Sequence, residues 1–275
     1  MAFPASAAFE IEGQGARSAA LGGAFIAATD AAEAVWFNPA GNARLQRRQV
    51  ASSHALLYAG LPDSPGLNAL AAATPLAGGG LHLGFSALAG EDWNEEVLAV
   101  GYGRALHRRL AVGAGARSRG WRTPGLSRRA LSLDLGGIYE VGWIHPRAYV
   151  QVAIALRNLN RANVAAGGQS AGRTPRAWGT GISVGGDGKR LLLDIERSRG
   201  RTEVRGGYEA RSASLWGARL RVGGRFAVAR SRGREVDVGL GHRWKQWHMD
   251  YAYTYPLRLD GLGGIHRISL GYSRR

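Results

Sequence analysis

From about residue 48 to the end, apolar and polar residues alternate with a period of two, in segments of about ten residues separated by turn residues. That pattern restricts the fold more than any other feature of the chain. A period of two belongs to a β-strand, whose successive side chains point to opposite faces. Trp247, Met249, Tyr251, Tyr253 and Tyr255 alternate with His248, Asp250, Ala252 and Thr254, and the last segment repeats the scheme with His266, Ile268, Leu270 and Tyr272. In another segment Leu220, Val222, Phe226 and Val228 share one face, while Arg219, Arg221 and Arg225 share the other. Such segments fall near 49–59, 67–76, 80–89, 96–106, 110–120, 129–140, 148–158, 176–185, 189–197, 202–210, 218–228, 235–244, 247–256 and 264–273.

Alternation alone fits either a soluble sandwich or a membrane barrel with an apolar outside and a wet lumen. Three features favour the barrel. The polar face is rich in glycine, as in Gly101/Gly103 and Gly179/Gly181/Gly185, which leaves room for something inside. It also carries both signs of charge, with Asp194, Glu196, Asp237 and Asp250 available to pair Arg219, Arg221 and Arg225 in a polar lumenal network. Connections alternate short and long, as at Gly186-Asp187-Gly188 and 160–174. The reading is therefore an all-β chain: a transmembrane, antiparallel, up-and-down barrel of about fourteen strands over residues 47–275, with residues 1–46 as an N-terminal plug that contains a short helix.

Composition agrees and excludes other classes. No stretch of eighteen apolar residues exists, so a spanning helix is excluded. The chain has no cysteine, and its seven histidines lie scattered without HxxxH spacing, so no metal site and no cofactor is expected. Net charge is +16, almost all from arginine, because Lys189 and Lys245 are the only lysines. Such charge suits phosphate-rich partners, yet the arginines are spread along the chain with no basic helical stripe, which argues against nucleic acid. Arg122, Arg128, Arg129, Arg197, Arg199, Arg201, Arg230, Arg232 and Arg234 fall in connections that an up-and-down count assigns to the outer side. Of these, Arg230, Arg232 and Arg234 are candidate outer-rim contacts to lipopolysaccharide phosphates. Near the start, Ala5-Ser6-Ala7 has the small-x-small form of a signal cleavage site.

Residues 9–46 break the alternation. The stretch from Ala27 to Phe37 is alanine-rich, Thr29-Asp30 fits a helix cap, and Asn38-Pro39 ends the segment. Ala16 to Phe25, then Asp30, then Trp36-Phe37-Asn38-Pro39-Ala40-Gly41 resemble the N-terminal hatch of the FadL-like outer-membrane superfamily, and in particular its PorV/PorQ branch. Leu133 to Tyr139, Leu156-Arg157-Asn158-Leu159, Asp250 to Tyr253 and His266 to Tyr272 resemble the same branch in order. Two features depart from it: the chain ends Tyr272-Ser273-Arg274-Arg275 rather than on an aromatic residue, and it is short for the family. The resemblance places Asn38, Pro39, Ala40 and Gly41 in the plug. It implies a non-enzymatic protein of the Gram-negative outer membrane that contacts lipid and lipopolysaccharide, and either passes a hydrophobic small molecule or serves as an envelope adaptor for secreted proteins.

Sharper chemical motifs carry less. Gly13-x-Gly15 lacks the third glycine and the βαβ unit of a dinucleotide site. Gly181-Ile182-Ser183-Val184-Gly185 has nucleophile-elbow spacing, but strand alternation runs through it. His248 and Asp250 on one inward face leave an outer-membrane hydrolase as one alternative. A soluble basic β-protein that binds nucleic acid or acidic polysaccharide is the other.

Overall fold

The computed structural model describes residues 13–28, 31–90, 92–165, 173–228, 234–257 and 260–274. The strands are β1 (Arg48–Leu57), β2 (Gly66–Leu76), β3 (Gly79–Ala89), β4 (Asn94–Ala105), β5 (Leu110–Thr123), β6 (Leu126–His145), β7 (Ala148–Arg157), β8 (Ala177–Gly186), β9 (Lys189–Ser198), β10 (Arg201–Arg211), β11 (Arg219–Val228), β12 (Arg234–Trp244), β13 (Trp247–Pro256) and β14 (Ile265–Arg274). Each pairs antiparallel with its neighbours in sequence, and β1 pairs with β14 from Arg48↔Arg274 to Leu57↔Ile265, which closes a fourteen-strand barrel. Closure removes the free edges that an open sheet would expose.

Turn chemistry sets one end of the barrel. Asp187 and Gly188 both have positive φ (50° and 75°) and join β8 to β9 as a two-residue hairpin whose twist matches the strands. The connections 77–78, 146–147 and 245–246 share this short-turn end, and so does 212–218. The opposite end carries 58–65, 90–93, 158–176 and 257–264, but also two tight turns, at 124–125 and 199–200. Strict alternation of short and long connections is thus corrected. Arg122, Arg128, Arg129, Arg197, Arg201 and Arg234 lie within strands rather than connections, because β5 and β6 stay paired out to Thr123↔Leu126. Arg230 and Arg232 lie outside the described residues, as do Thr29 and Asp30.

The outward face is apolar. Leu220, Val222, Phe226 and Val228 are each about half exposed, with Leu191, Leu193 and Ile195 on β9 and Leu131, Leu133 and Leu135 on β6. A belt of this kind around a closed wall suits hydrocarbon rather than water, which is the reverse of a soluble basic β-protein. Trp143, Trp244 and Trp247 stand at its short-turn border, where amphipathic rings meet an interface. Among the described residues no helix is long and apolar enough to cross a membrane.

The core lies inside the barrel and is built from the N-terminal segment. A four-residue helix, α1 (Ala16–Ala19), begins it, and the alanine-rich stretch forms a 3-10 turn at Ala32–Trp36 rather than a helix from 27 to 37. The turn is buried against the inner wall at every position from Ala32 to Trp36, so its conformation follows the packing rather than alanine's helix propensity. Leu21, Ala24, Phe25, Val35, Trp36 and Phe37 pack with the inward Ala71, Ala73, Val97, Ala99 and Leu192.

Candidate functional site

The glycine-rich inner wall exists because the plug backbone lies against it. A methyl group at Gly113 would come within 2.3 Å of the Pro39 carbonyl oxygen, and one at Gly136 within 1.9 Å of Asn38 Oδ1. Across the lumen a methyl at Gly223 would meet the Gly22 amide nitrogen at 2.3 Å. The Asn38-Pro39-Ala40-Gly41 turn is held by its own asparagine. Asn38 Oδ1 accepts from the Ala40 amide at 3.0 Å, and Asn38 Nδ2 donates to the Ile26 carbonyl at 3.0 Å. Asp194 on β9 accepts from the Phe25 and Ile26 amides at 2.7 and 2.9 Å, which fixes the plug to the wall.

Charges of both signs fill the rest of the inner face, and the structure places all of the sequence-selected polar residues there. Arg221 donates to Glu209 at 2.6 Å and to Asp250 at 2.7 Å, and Arg17 of the plug meets Glu209 at 3.1 Å. Arg225 pairs with Glu235 at 2.6 Å, Asp237 accepts from Thr254 Oγ1 at 2.5 Å, and Glu196 lies between Arg157 and Arg205, the latter at 3.0 Å. These pairs sit in low dielectric, so their value depends on complete pairing.

Alternation also assigns Arg117 and Asp134 to the polar face, and the structure makes them a hub whose links to the plug the sequence did not show. Arg117 and Asp134, both buried, pair at 2.7 Å, and Arg117 also donates to the Trp36 carbonyl at 3.0 Å. Asp134 accepts from the Asn158 amide at 2.7 Å, and Asn158 in turn binds the Pro175 carbonyl at 3.0 Å. One ion pair thereby joins plug, wall and the 158–176 connection. The available signal was inward parity: Arg117 and Asp134 fall on the lumenal face of facing strands, at Gly115↔Asp134 and Arg117↔Ser132. At this end Trp93 and Trp121 stack with centroids 4.9 Å apart, and Trp121 Nε1 donates to the Val164 carbonyl at 2.8 Å. Val164 is buried, and it joins the cluster of Phe25, Val35 and Trp36. Trp93, Trp121 and Val164 thus lie over the apolar part of the plug on the β4–β5 side of the long-loop end.

At the short-turn end a cavity of about 500 Å³ opens beneath the plug, lined by the ends of β1, β6 and several strands from β7 to β14. Arg17, Glu209, Arg221 and Asp250 line its inner side.

The hydrolase reading finds no support in this geometry. Asp250 is held by Arg221, Ser269 Oγ accepts from the Ala16 amide at 2.7 Å, and Ser183 lies in straight β8. Among the described residues no hydrogen bond joins His248 to a serine, and no cluster of His, Cys, Asp and Glu could hold a metal.

Comparison with solved structures identifies the class of fold that this closed barrel has. The Ralstonia pickettii toluene transporter TbuX matches with a TM-score of 0.64 at 14% identity, over 97% of this chain and 99% of that one. The Pseudomonas putida toluene transporter TodX matches at 0.62 and 11%, over 97% and 99%. A Pseudomonas aeruginosa FadL homologue matches at 0.59 and 12%, over 96% of each. The chain has the FadL-type barrel fold. No family model and no curated protein matches it.

Proposed function

We propose that this chain is a non-enzymatic barrel of the Gram-negative outer membrane that passes small hydrophobic molecules inward past its plug. The observation that carries the reading is the apolar path at the long-loop end, where the Trp93–Trp121 stack and Val164 lead onto Phe25, Val35 and Trp36. An apolar solute gains by leaving water for such a lining, and the tightly packed side chains admit it only by moving aside. The solved structures of this fold include proteins described as toluene transporters and a monoaromatic hydrocarbon channel, which gives the substrate class its starting point. The outer rim contacts lipopolysaccharide phosphates through Arg234, in addition to the surrounding lipid.

The PorV/PorQ branch, with its adaptor role for secreted proteins, is the second reading. What favours it is the hatch motif Trp36 to Gly41 together with the tight 199–200 turn between the ten- and eleven-residue strands β9 and β10, which leaves that part of the long-loop end low enough for a protein to dock. Uptake of radiolabelled toluene by cells expressing the barrel separates the two. The channel reading expects uptake above that of empty cells and its loss in Trp121→Arg, with unchanged heat-modifiable gel mobility. Uptake equal to that of empty cells overturns it.

A further inference from the structure

The cavity at the short-turn end is electrically unbalanced. Seven cationic side chains and three carboxylates line it. Two of the carboxylates are already committed, because Glu209 lies between Arg17 and Arg221, and Asp250 lies against Arg221. Arg219 and Arg243 have no ion pair among the described residues, and neither do Arg47 and Lys189 at the rim. Deeper in the lumen the rule is different, since Arg117, Arg157, Arg205 and Arg225 each meet a carboxylate. The buried Arg267 of β14 is an exception, with no ion pair among the described residues and no partner for its Nε.

The strands bring the unpaired groups together. Arg219 on β11 is opposite Gly241 of β12, two residues from Arg243, so the two arginines are diagonal neighbours on one inward face at a Cα separation on the order of 7 Å. Arg243 is in turn directly opposite His248 of β13, whose Nδ1 is buried without a hydrogen-bond partner. Arg219 stands within electrostatic reach of one carboxylate, Glu209, which Arg17 and Arg221 already engage, and of three cations, Arg17, Arg243 and Arg221. Like charges at this spacing repel and cost stability unless an anion sits among them. Guanidinium groups are also the side chains that take an oxyanion through two parallel hydrogen bonds.

We propose that this cavity is a binding site for an oxyanion of phosphate or sulfate type, held between Arg219 and Arg243 with His248 as a further hydrogen-bonding group. The site faces the short-turn mouth and lies below the plug, so a solute reaches it without crossing the apolar path at the other end. Its volume exceeds that of a free ion, which leaves space for water or for the small organic body of an ester. The proposal stands whether or not hydrocarbons traverse the barrel.

Equilibrium dialysis of the detergent-solubilised protein with radiolabelled inorganic phosphate, at constant ionic strength in chloride, tests it. Saturable binding near one phosphate per chain is expected, with sulfate competing. The double variant R219Q/R243Q should bind at least tenfold more weakly, and R128Q/R129Q at the other end should bind as the wild type does. Non-saturable binding, or equal binding in both variants, overturns the site. Because removal of two charges can also disturb folding, the wild-type protein supplies an independent readout. Phosphate should protect Arg219 and Arg243 from phenylglyoxal, mapped by mass spectrometry, while Arg128 and Arg129 stay reactive. Equal modification at both ends with and without phosphate excludes the site.

Discussion

Glu33 shows how a single residue records the cost of filling the lumen. It sits in the 3-10 turn, fully enclosed, with Oε2 lacking a hydrogen-bond partner. Burial pushes its carboxyl up to about 6, the charge of Asp250 adds to the rise, and Arg17, Ser18 and Arg221 oppose it. Since the folded protein holds this proton more tightly than the unfolded chain, stability from this group is complete below about pH 4.5 and is lost as pH rises through 6. Glu33→Gln removes that loss. The variant should gain on the order of 2 kcal/mol over wild type at pH 8, with the gain vanishing below about pH 4.5. Urea unfolding from lipid vesicles at both pH values measures it, and a pH-independent difference would show that Glu33 titrates normally. Nothing in the sequence marked Glu33, because an alanine-rich segment with one acid reads equally well as a solvated helix face. The arginine trio was legible, since three cations at period two can share only one face.

At the scale of the element, barrel and plug differ in how far the sequence reveals them. Strand positions follow from alternation, which needs only near neighbours. The main departures are at β5 and β6, whose arginine-rich ends look like loops yet continue as a paired hairpin beyond the apolar belt. The plug has no periodicity of its own, and its conformation is imposed by the wall, so its 3-10 turn and the Asp194 clamp were not legible. Gly113 links the two levels. Its lack of a side chain lets the Pro39 carbonyl lie on β5, so Gly113→Val must displace the Asn38 turn or fail to assemble. The expected result is a folded, heat-modifiable barrel with raised ion conductance in planar bilayers, as for a chain lacking residues 13–46. Asp194→Ala should act in the same direction, because it leaves the Phe25 and Ile26 amides without an acceptor. Conductance equal to wild type in both variants would mean that the plug is not what blocks the lumen.

For the whole molecule, the decisive property is that its two solvents are reversed relative to a soluble β-protein. The charged residues point inward onto the plug, and the apolar ones point outward, so the fold is stable only where the outside is apolar. The sequence carried this inversion in its inward glycines and its mixed lumenal charges, whereas the long-range closure of β1 on β14 is visible only in three dimensions. Val222 tests the inversion most directly. It is about half exposed on the outer face, where it faces Val238 on β12 and Tyr208 on β10. In water, exchanging such a residue for arginine is nearly neutral, since an exposed surface site tolerates charge within about 0.5 kcal/mol. In a bilayer the same exchange places a guanidinium against hydrocarbon and should cost about 2–4 kcal/mol near the midplane. Refolding Val222→Arg into lipid vesicles and titrating with denaturant reads the difference, with Arg128→Gln beyond the belt as a control expected to change little. A loss below about 0.5 kcal/mol at Val222 would place this face in water and remove the membrane from the account of the fold.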